Sequence, residues 1–295
     1  MNLTVQSLDG NASPVIYEPP TVIAGEPPLK IACTPDSGAI FVLGKSTVTC
    51  NVTDAFLRVD SCAFTVTLTT APQLSATHFM AFGNSITEGK NASGTILQNN
   101  YPENLRAMLA ARYTTQTISV LNKGFGGEWA VEGAKRLPGE LNANHPGALL
   151  LEEGVNDLAG GQPSSITPMI DALRTMVRQA KDRGIPVFLG TLPPEREGGS
   201  RASAFPAIPE ANNQIRLLAL GEHVPLVDLY EGFGGSPDPY IDTDGLHPNE
   251  RGYQKMAQLF FDAIRLSLEV QPGVTSSMEL VRNMPSQNPP FTRFR

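Results

Sequence analysis

Four short polar segments hold residue types that could do chemistry. They are Gly83-Asn84-Ser85-Ile86-Thr87, Asn122-Lys123-Gly124-Phe125-Gly126-Gly127, Gly154-Val155-Asn156-Asp157 and Asp244-Gly245-Leu246-His247-Pro248. A serine hydroxyl alone is a poor nucleophile. It needs a base within hydrogen-bond reach and donors for the oxyanion that develops on attack. His247 can be that base. Asp244, three residues earlier, can turn back to the imidazole and hold its tautomer. The Ser85 amide, the glycine amides after Asn122 and the Asn156 side chain can supply oxyanion donors. Such a set performs acyl transfer through a covalent intermediate on Ser85, and that chemistry needs no metal and no organic cofactor.

Each segment also has a plainer reading. Ser85 can cap a helix. The glycines near 124–127 can make a tight turn, and Asn156 a cap. Asn122-x-Gly-x-x-Gly is not the dinucleotide fingerprint, and no acidic ribose partner follows about 20 residues on. Asp242-x-Asp244-Gly245 hints at calcium but lacks the downstream bidentate glutamate of a calcium loop. His78, His145 and His223 stand at strand or helix ends and read as structural. Trp129, the only tryptophan, follows the second segment and either lines a cleft or packs in a core. What favours chemistry is that the four segments occur in order, each in a loop.

The elements that must position them follow from hydrophobic pattern. His78 to Phe82 is a short apolar run that stops at Gly83. Ile118 to Leu121, Ala148 to Leu151, Val187 to Leu189 and Val224 to Leu229 complete five expected strands. Tyr101 to Arg112 reads as a helix with Pro102 in its first turn. Ile166, Ile170, Leu173 and Val177 recur at helical spacing, with Gly184 as the expected C-cap. Pro209 to Leu220 and Asn249 to Leu268 are two further expected helices. Strands alternating with helices predict a three-layer α/β/α sandwich with a five-stranded parallel sheet. Active groups then belong in loops beyond the C-terminal strand ends, where the four segments fall.

With FGNSITEG, NKGFGG, GVND and DGLHP in order, residues 76–268 resemble the SGNH hydrolases, the GDSL-type esterase and lipase superfamily. The resemblance implies an SGNH, flavodoxin-like sandwich. It implies Ser85 as nucleophile, Asp244 and His247 as its triad partners, and Ser85, Gly127 and Asn156 as the oxyanion hole. It also implies a serine carboxylic ester hydrolase. One position departs: the first block usually reads Gly-Asp-Ser, and here Asn84 replaces the aspartate. Asn84 and Trp129 are candidate substrate contacts. The expected substrate is a short acyl ester or an acetylated polysaccharide. A lipase, lysophospholipase or thioesterase of the same superfamily is the enzymatic alternative. A non-catalytic surface adhesion or carbohydrate-binding protein is the other.

Residues 1–72 differ in character. Ser46 to Val52 and Ala63 to Thr69 alternate and are rich in β-branched residues, and Ile31, Phe41 and Val42 mark two more strands. The expectation is a small all-β sandwich, joined through the polar linker 70–75. All three cysteines, Cys33, Cys50 and Cys62, lie here, as three buried thiols or as a disulfide with one left over. The stretch from Cys33 to Leu68 resembles the hyalin repeat, an immunoglobulin-like adhesion module. That resemblance implies a Cys33–Cys62 bridge with Cys50 free, a repeat cut at its start, and a module able to bind a surface or polymer. Residues 269–295 read as a Pro-rich tail.

The chain has 295 residues and a formal net charge of -7, with 17% charged residues. An acidic chain without basic clusters argues against nucleic acid as a partner. No apolar run reaches the ~18 residues of a membrane span. Met1-Asn2-Leu3-Thr4 lacks the basic start of a signal peptide. With the cysteines, the reading is a secreted protein whose signal belongs to a longer precursor.

Overall fold

The computed structural model describes residues 2–270, which fall into two compact units divided between Ala71 and Pro72. The first unit is all β. Its strands are β1 (Asn2–Ser7), β2 (Ser13–Pro14), β3 (Lys30–Thr34), β4 (Ile40–Phe41), β5 (Gly44–Thr53) and β6 (Val59–Thr70). One sheet has the order β1-β6-β5-β3, with β1 parallel to β6 and the other pairs antiparallel. β2 and β4 form a separate antiparallel pair. Val48 and Cys50 of β5 and Phe64, Val66 and Leu68 of β6 alternate inward onto Val15, Tyr17 and Phe41, as period-2 side chains must.

The register corrects the cysteine expectation. Cys33 is bonded to Cys50, and Cys62 is a free, exposed thiol. Cys33 lies directly opposite Cys50 across β3 and β5, and Cys62 opposite Cys50 across β5 and β6. Cys33 and Cys62 therefore stand two strand spacings apart, roughly 9–10 Å, beyond the ~7 Å that a disulfide spans.

The second unit continues with β7 (Gln73–Leu74), β8 (His78–Gly83), α1 (Ser85–Glu88), α2 (Tyr101–Arg112), β9 (Ser119–Gly124), α3 (Ala130–Asn144), β10 (Ala148–Glu152) and α4 (Ile166–Lys181). β11 (Val187–Gly190), α5 (Ile208–Glu222), β12 (Leu226–Val227), α6 (Leu229–Gly232), α7 (Glu250–Leu268) and β13 (Glu269–Val270) complete it. Five strands form a parallel sheet in the order β12-β11-β10-β8-β9. Its central strands are buried on both faces, which is why β8 and β10 read as unbroken apolar runs rather than alternating ones. α3 packs on α4 and α4 on α5, while α2 packs on α7, where Tyr101 stacks on Phe260 at 5.1 Å. Each such fully buried apolar side chain contributes about 1.5–3 kcal/mol relative to exposure.

Several boundaries differ from the sequence reading. The expected strand at 224–229 shrinks to two residues, because Asp228 caps α6 by accepting from the Glu231 N–H at 3.1 Å. Gly184, with φ 72°, closes the end of α4 together with an Ile185 N–H donated to the Ala180 carbonyl at 3.0 Å. Glu269 and Val270, expected in the tail, form β13 and pair with Leu74 and Gln73, and the Glu269 carboxylate binds Arg112 and Tyr113. The rest of that expected tail lies outside the described residues. Among the described residues no helix is long and apolar enough to cross a membrane.

The strand order fixes where a site can form. From β8 the chain goes to β9 on one side and then returns to β10 on the other, so the connections diverge between β8 and β10. In open parallel sheets the crevice at that divergence, outside the C-terminal strand ends, is where ligands are held.

Candidate active site

Ser85 lies one residue beyond β8, after the cap Asn84, and opens α1, so its N–H lies in the helix turn that has no intrahelical acceptor. The sharp exit from β8 depends on Gly83, where any Cβ would collide with the Glu152 carbonyl of the neighbouring strand. Asn84 caps α1, its Oδ1 accepting the Ile86 N–H at 2.9 Å. Ser85 is buried, 6% exposed.

Across the crevice, the loop before α7 carries Asp244 and His247. His247 Nε2 lies 2.9 Å from Ser85 Oγ, and His247 Nδ1 lies 2.6 Å from Asp244 Oδ2. Asp244 Oδ1 accepts the backbone N–H groups of Leu246 at 3.1 Å and His247 at 3.0 Å, so the loop folds around its own carboxylate. Burial pushes the Asp244 carboxyl up, but the His247 ring and these two amides outweigh it and hold the group below the usual carboxylate range. Asp242, two residues earlier, is taken up by the N–H groups of Ala92 and Thr243.

That loop is braced by the segment between β11 and α5, which sequence reasoning passed over. Arg201 donates its backbone N–H to the Asp244 carbonyl at 2.9 Å, and Arg196 its own to the Gly245 carbonyl at 2.8 Å. The Arg196 guanidinium binds Asp238 and the Ile241 carbonyl. Glu195 is buried beside them, and burial lifts its carboxyl to about 7.

The two remaining loops meet on the other flank. Gly127 has φ 83° with open space around it, so its glycine answers to backbone conformation rather than crowding. Asn156 Nδ2 donates one N–H to the Glu128 carbonyl at 2.8 Å, which ties the Asn156 turn to the residue after Gly127 and leaves the second N–H of the amide. Asp157 accepts the Ala130 N–H at 2.8 Å at the start of α3. Arg136 of α3 closes the loop from behind. It binds the Glu128 carboxylate through two nitrogens, donates to the Lys123 carbonyl at 3.0 Å, and lies 3.9 Å over the Phe82 ring. Neither Glu128 nor Arg136 carried a sequence signal.

The structure thus brings Ser85, Asp244 and His247 into one hydrogen-bonded chain and sets the turns of Gly127 and Asn156 side by side. Trp129 precedes α3 and is half exposed. Asn84 as a substrate contact needs correcting. Its carboxamide is wholly enclosed, held at one end by the Ile86 N–H and at the other by Glu153 at 3.2 Å. His145 and His223 are left-handed C-caps of α3 and α5, and His78 bridges Ser119 and the Asn144 carbonyl.

The model of a family described as the GDSL-like Lipase/Acylhydrolase family matches residues 81–255. A multidomain esterase of Ruminococcus flavefaciens is 27% identical over 131 residues, covering 43% of this chain and 17% of that protein, so the chain spans less than a fifth of its relative. A lipase/acylhydrolase from Enterococcus faecalis superposes with TM-score 0.56 at 24% identity, over 64% of this chain and 96% of that one. Axe2, an acetylxylan esterase from Geobacillus stearothermophilus, superposes with TM-score 0.54 at 21% identity, over 65% and 95%. The acetyl xylan esterase AlAXEase does so with TM-score 0.53 at 21% identity, over 63% and 98%. Likeness at these identities shows the fold alone, an α/β sandwich around a five-stranded parallel sheet.

Proposed function

Because the chain belongs to the GDSL-like lipase/acylhydrolase family, we propose that it hydrolyses carboxylic esters with Ser85 as nucleophile. The observation that carries this is the unbroken chain from Ser85 Oγ to His247 to Asp244, at 2.9 and 2.6 Å. In this reading His247 Nε2 takes the Ser85 proton as Oγ adds to the acyl carbon. The N–H groups of Ser85 and Gly127 and the free N–H of Asn156 hold the oxyanion. The alcohol leaves with the proton from His247, and a water activated by the same ring releases the acid from Ser85. Asp244 keeps the imidazole in the tautomer with its proton on Nδ1.

The substrate class we favour is a short acyl ester, an acetyl group on a polysaccharide in particular. Support comes from two fold neighbours described as acetyl xylan esterases and from a relative described as a multidomain esterase. The Cys33–Cys50 bond favours an oxidising, extracytoplasmic location. The all-β unit is proposed as an immunoglobulin-like, hyalin-repeat-like module that holds the enzyme against a polymer.

Ser85→Ala should abolish p-nitrophenyl acetate hydrolysis and fluorophosphonate labelling while leaving the thermal melt unchanged. Turnover above a purification blank in that variant overturns the assignment. Rates across acyl chains from acetyl to decanoyl should fall with length. Acetate release from insoluble acetylated xylan, together with retention of the full chain on it, tests the polymer reading.

A further inference from the structure

One buried group beside the nucleophile is used by none of these steps. Glu153 follows the last residue of β10 and is fully enclosed. Its Oε1 accepts the Gly154 N–H at 3.0 Å and lies 3.2 Å from Asn84 Nδ2, while its Oε2 meets no protein partner among the described residues. The orientation of the Asn84 amide is not arbitrary. Its oxygen already accepts the Ile86 N–H, so its nitrogen must face Glu153. One carboxyl therefore joins the turn that carries Ser85 to the turn that leads to Asn156, across the divergence between β8 and β10.

Among the described residues, no cation is among the charges that bear on Glu153. The charged groups that bear on it are Glu152, the last residue of β10, and Glu128 in the loop before α3, and the charge of Glu128 is taken by Arg136. Burial, then these neighbours, push the Glu153 carboxyl well above its ordinary range. An amide N–H at position 84 can donate to this carboxyl in either state, as a neutral carbonyl or as a carboxylate. A carboxyl at position 84 cannot. Two acids at this distance stay together only while they share a proton, and losing it drives them apart.

We propose that Glu153 is a positioning residue for the nucleophile turn, and that Asn84 is the side chain matched to it, so that Ser85 keeps its place against His247 whatever the charge on Glu153. The inference rests on Ser85 being the nucleophile. It adds that residue 84 sets the alkaline limit of the reaction.

The test is the pH profile of kcat and KM for p-nitrophenyl acetate between pH 5 and 9.5, on the full chain, for the wild type, Asn84→Asp and the double variant Asn84→Asp/Glu153→Gln. Asn84→Asp should acquire an alkaline limb that the wild type lacks, with kcat falling about tenfold from pH 6 to pH 9 while KM stays within about twofold, a loss of a transition-state contact rather than of binding. In the double variant the amide introduced at position 153 donates to the new carboxylate, and the limb should disappear. A profile for Asn84→Asp parallel to the wild type, or a limb that persists in the double variant, overturns the proposal. Melts at pH 6 and pH 9 accompany each variant. If Asn84→Asp does not fold, recovery of folding in the double variant supports the pairing and failure of both overturns it. A failure of the underlying reading looks different: the wild type itself would neither turn over ester nor take a fluorophosphonate label at Ser85.

Discussion

At the scale of single residues, the site works by division of labour among groups already held by the backbone. His247 touches Ser85 through one nitrogen and Asp244 through the other, and Asp244 is fixed by two amides of its own loop. Asn156 is held differently. One of its amide protons is spent on the Glu128 carbonyl, so the other is presented in a fixed direction. In the proposed mechanism it is then a preorganised donor for the oxyanion, the kind whose removal costs about 100- to 1000-fold in kcat. Asn156→Ala should therefore lower kcat by that factor and leave fluorophosphonate labelling of Ser85 detectable. Because the same truncation frees the Glu128 carbonyl, the melt of this variant is needed beside the rate. A stable variant with wild-type kcat would mean that other donors hold the oxyanion.

At the scale of elements, α3 shows how the fold steers these groups. Its N-terminus is capped by Asp157, from the same turn as Asn156, so the helix start and the Asn156 turn are tied together. The helix N-terminus favours a negative charge there, but burial is the larger effect and lifts Asp157 to about 6. A folded-state value above the unfolded one means that ionisation favours unfolding. The cost is absent below about pH 4, grows as pH rises to 6, and is complete above it. Asp157→Asn keeps an oxygen for the Ala130 N–H and removes the charge. It should stabilise the protein by about 1 kcal/mol at pH 8, after allowing for solvent screening, and by nothing at pH 4. Equal melts at pH 8, or a gain that does not depend on pH, would contradict the account. α3 is also the element that sequence pattern hid. Gly133, Pro138 and Gly139 interrupt its helical signal, and it holds because Ala130, Leu137 and Leu141 are buried against the sheet and α4. By contrast β8, β10, α4 and α7 were legible, since fully buried strands read as apolar runs and α4 and α7 each bury one regular stripe. The site divides in the same way. Asp244 and His247 lie three residues apart and could be paired by reach alone. Glu153 meets Asn84 from 69 residues away and Arg136 reaches back over a loop to Glu128 and Lys123, and only the fold brings these groups together.

At the scale of the molecule, the proposed catalytic residues and the disulfide belong to different units. Ser85, Asn156, Asp244 and His247 all lie in the unit from Pro72 to Val270, and the cysteines all lie before Ala71. Among the described residues the all-β unit buries a small apolar cluster around Val48, Phe64 and Val66, and small cores lean on covalent staples. The Cys33–Cys50 bond, with a separation of 17 residues, should contribute about 3 kcal/mol to that unit. Resemblance to a family pointed to Cys33 and Cys62, because three cysteines in sequence carry no register. The sheet decides it by putting β5 between the other two strands. The two pairings predict opposite outcomes for one substitution. Cys62 is exposed, so Cys62→Ala should shift stability by less than about 0.5 kcal/mol, whereas Cys33→Ala should cost the full contribution of the bond. Trp129 lies in the other unit and its fluorescence is blind to this change, so amide hydrogen exchange of β5 and β6 is the measurement to use. Alkylation without reduction should label Cys62 alone. Esterase turnover of a small soluble ester should be unaltered in both variants. A Cys62→Ala variant as unstable as Cys33→Ala, with Cys50 taking the alkylating label, would restore the pairing that the register excludes.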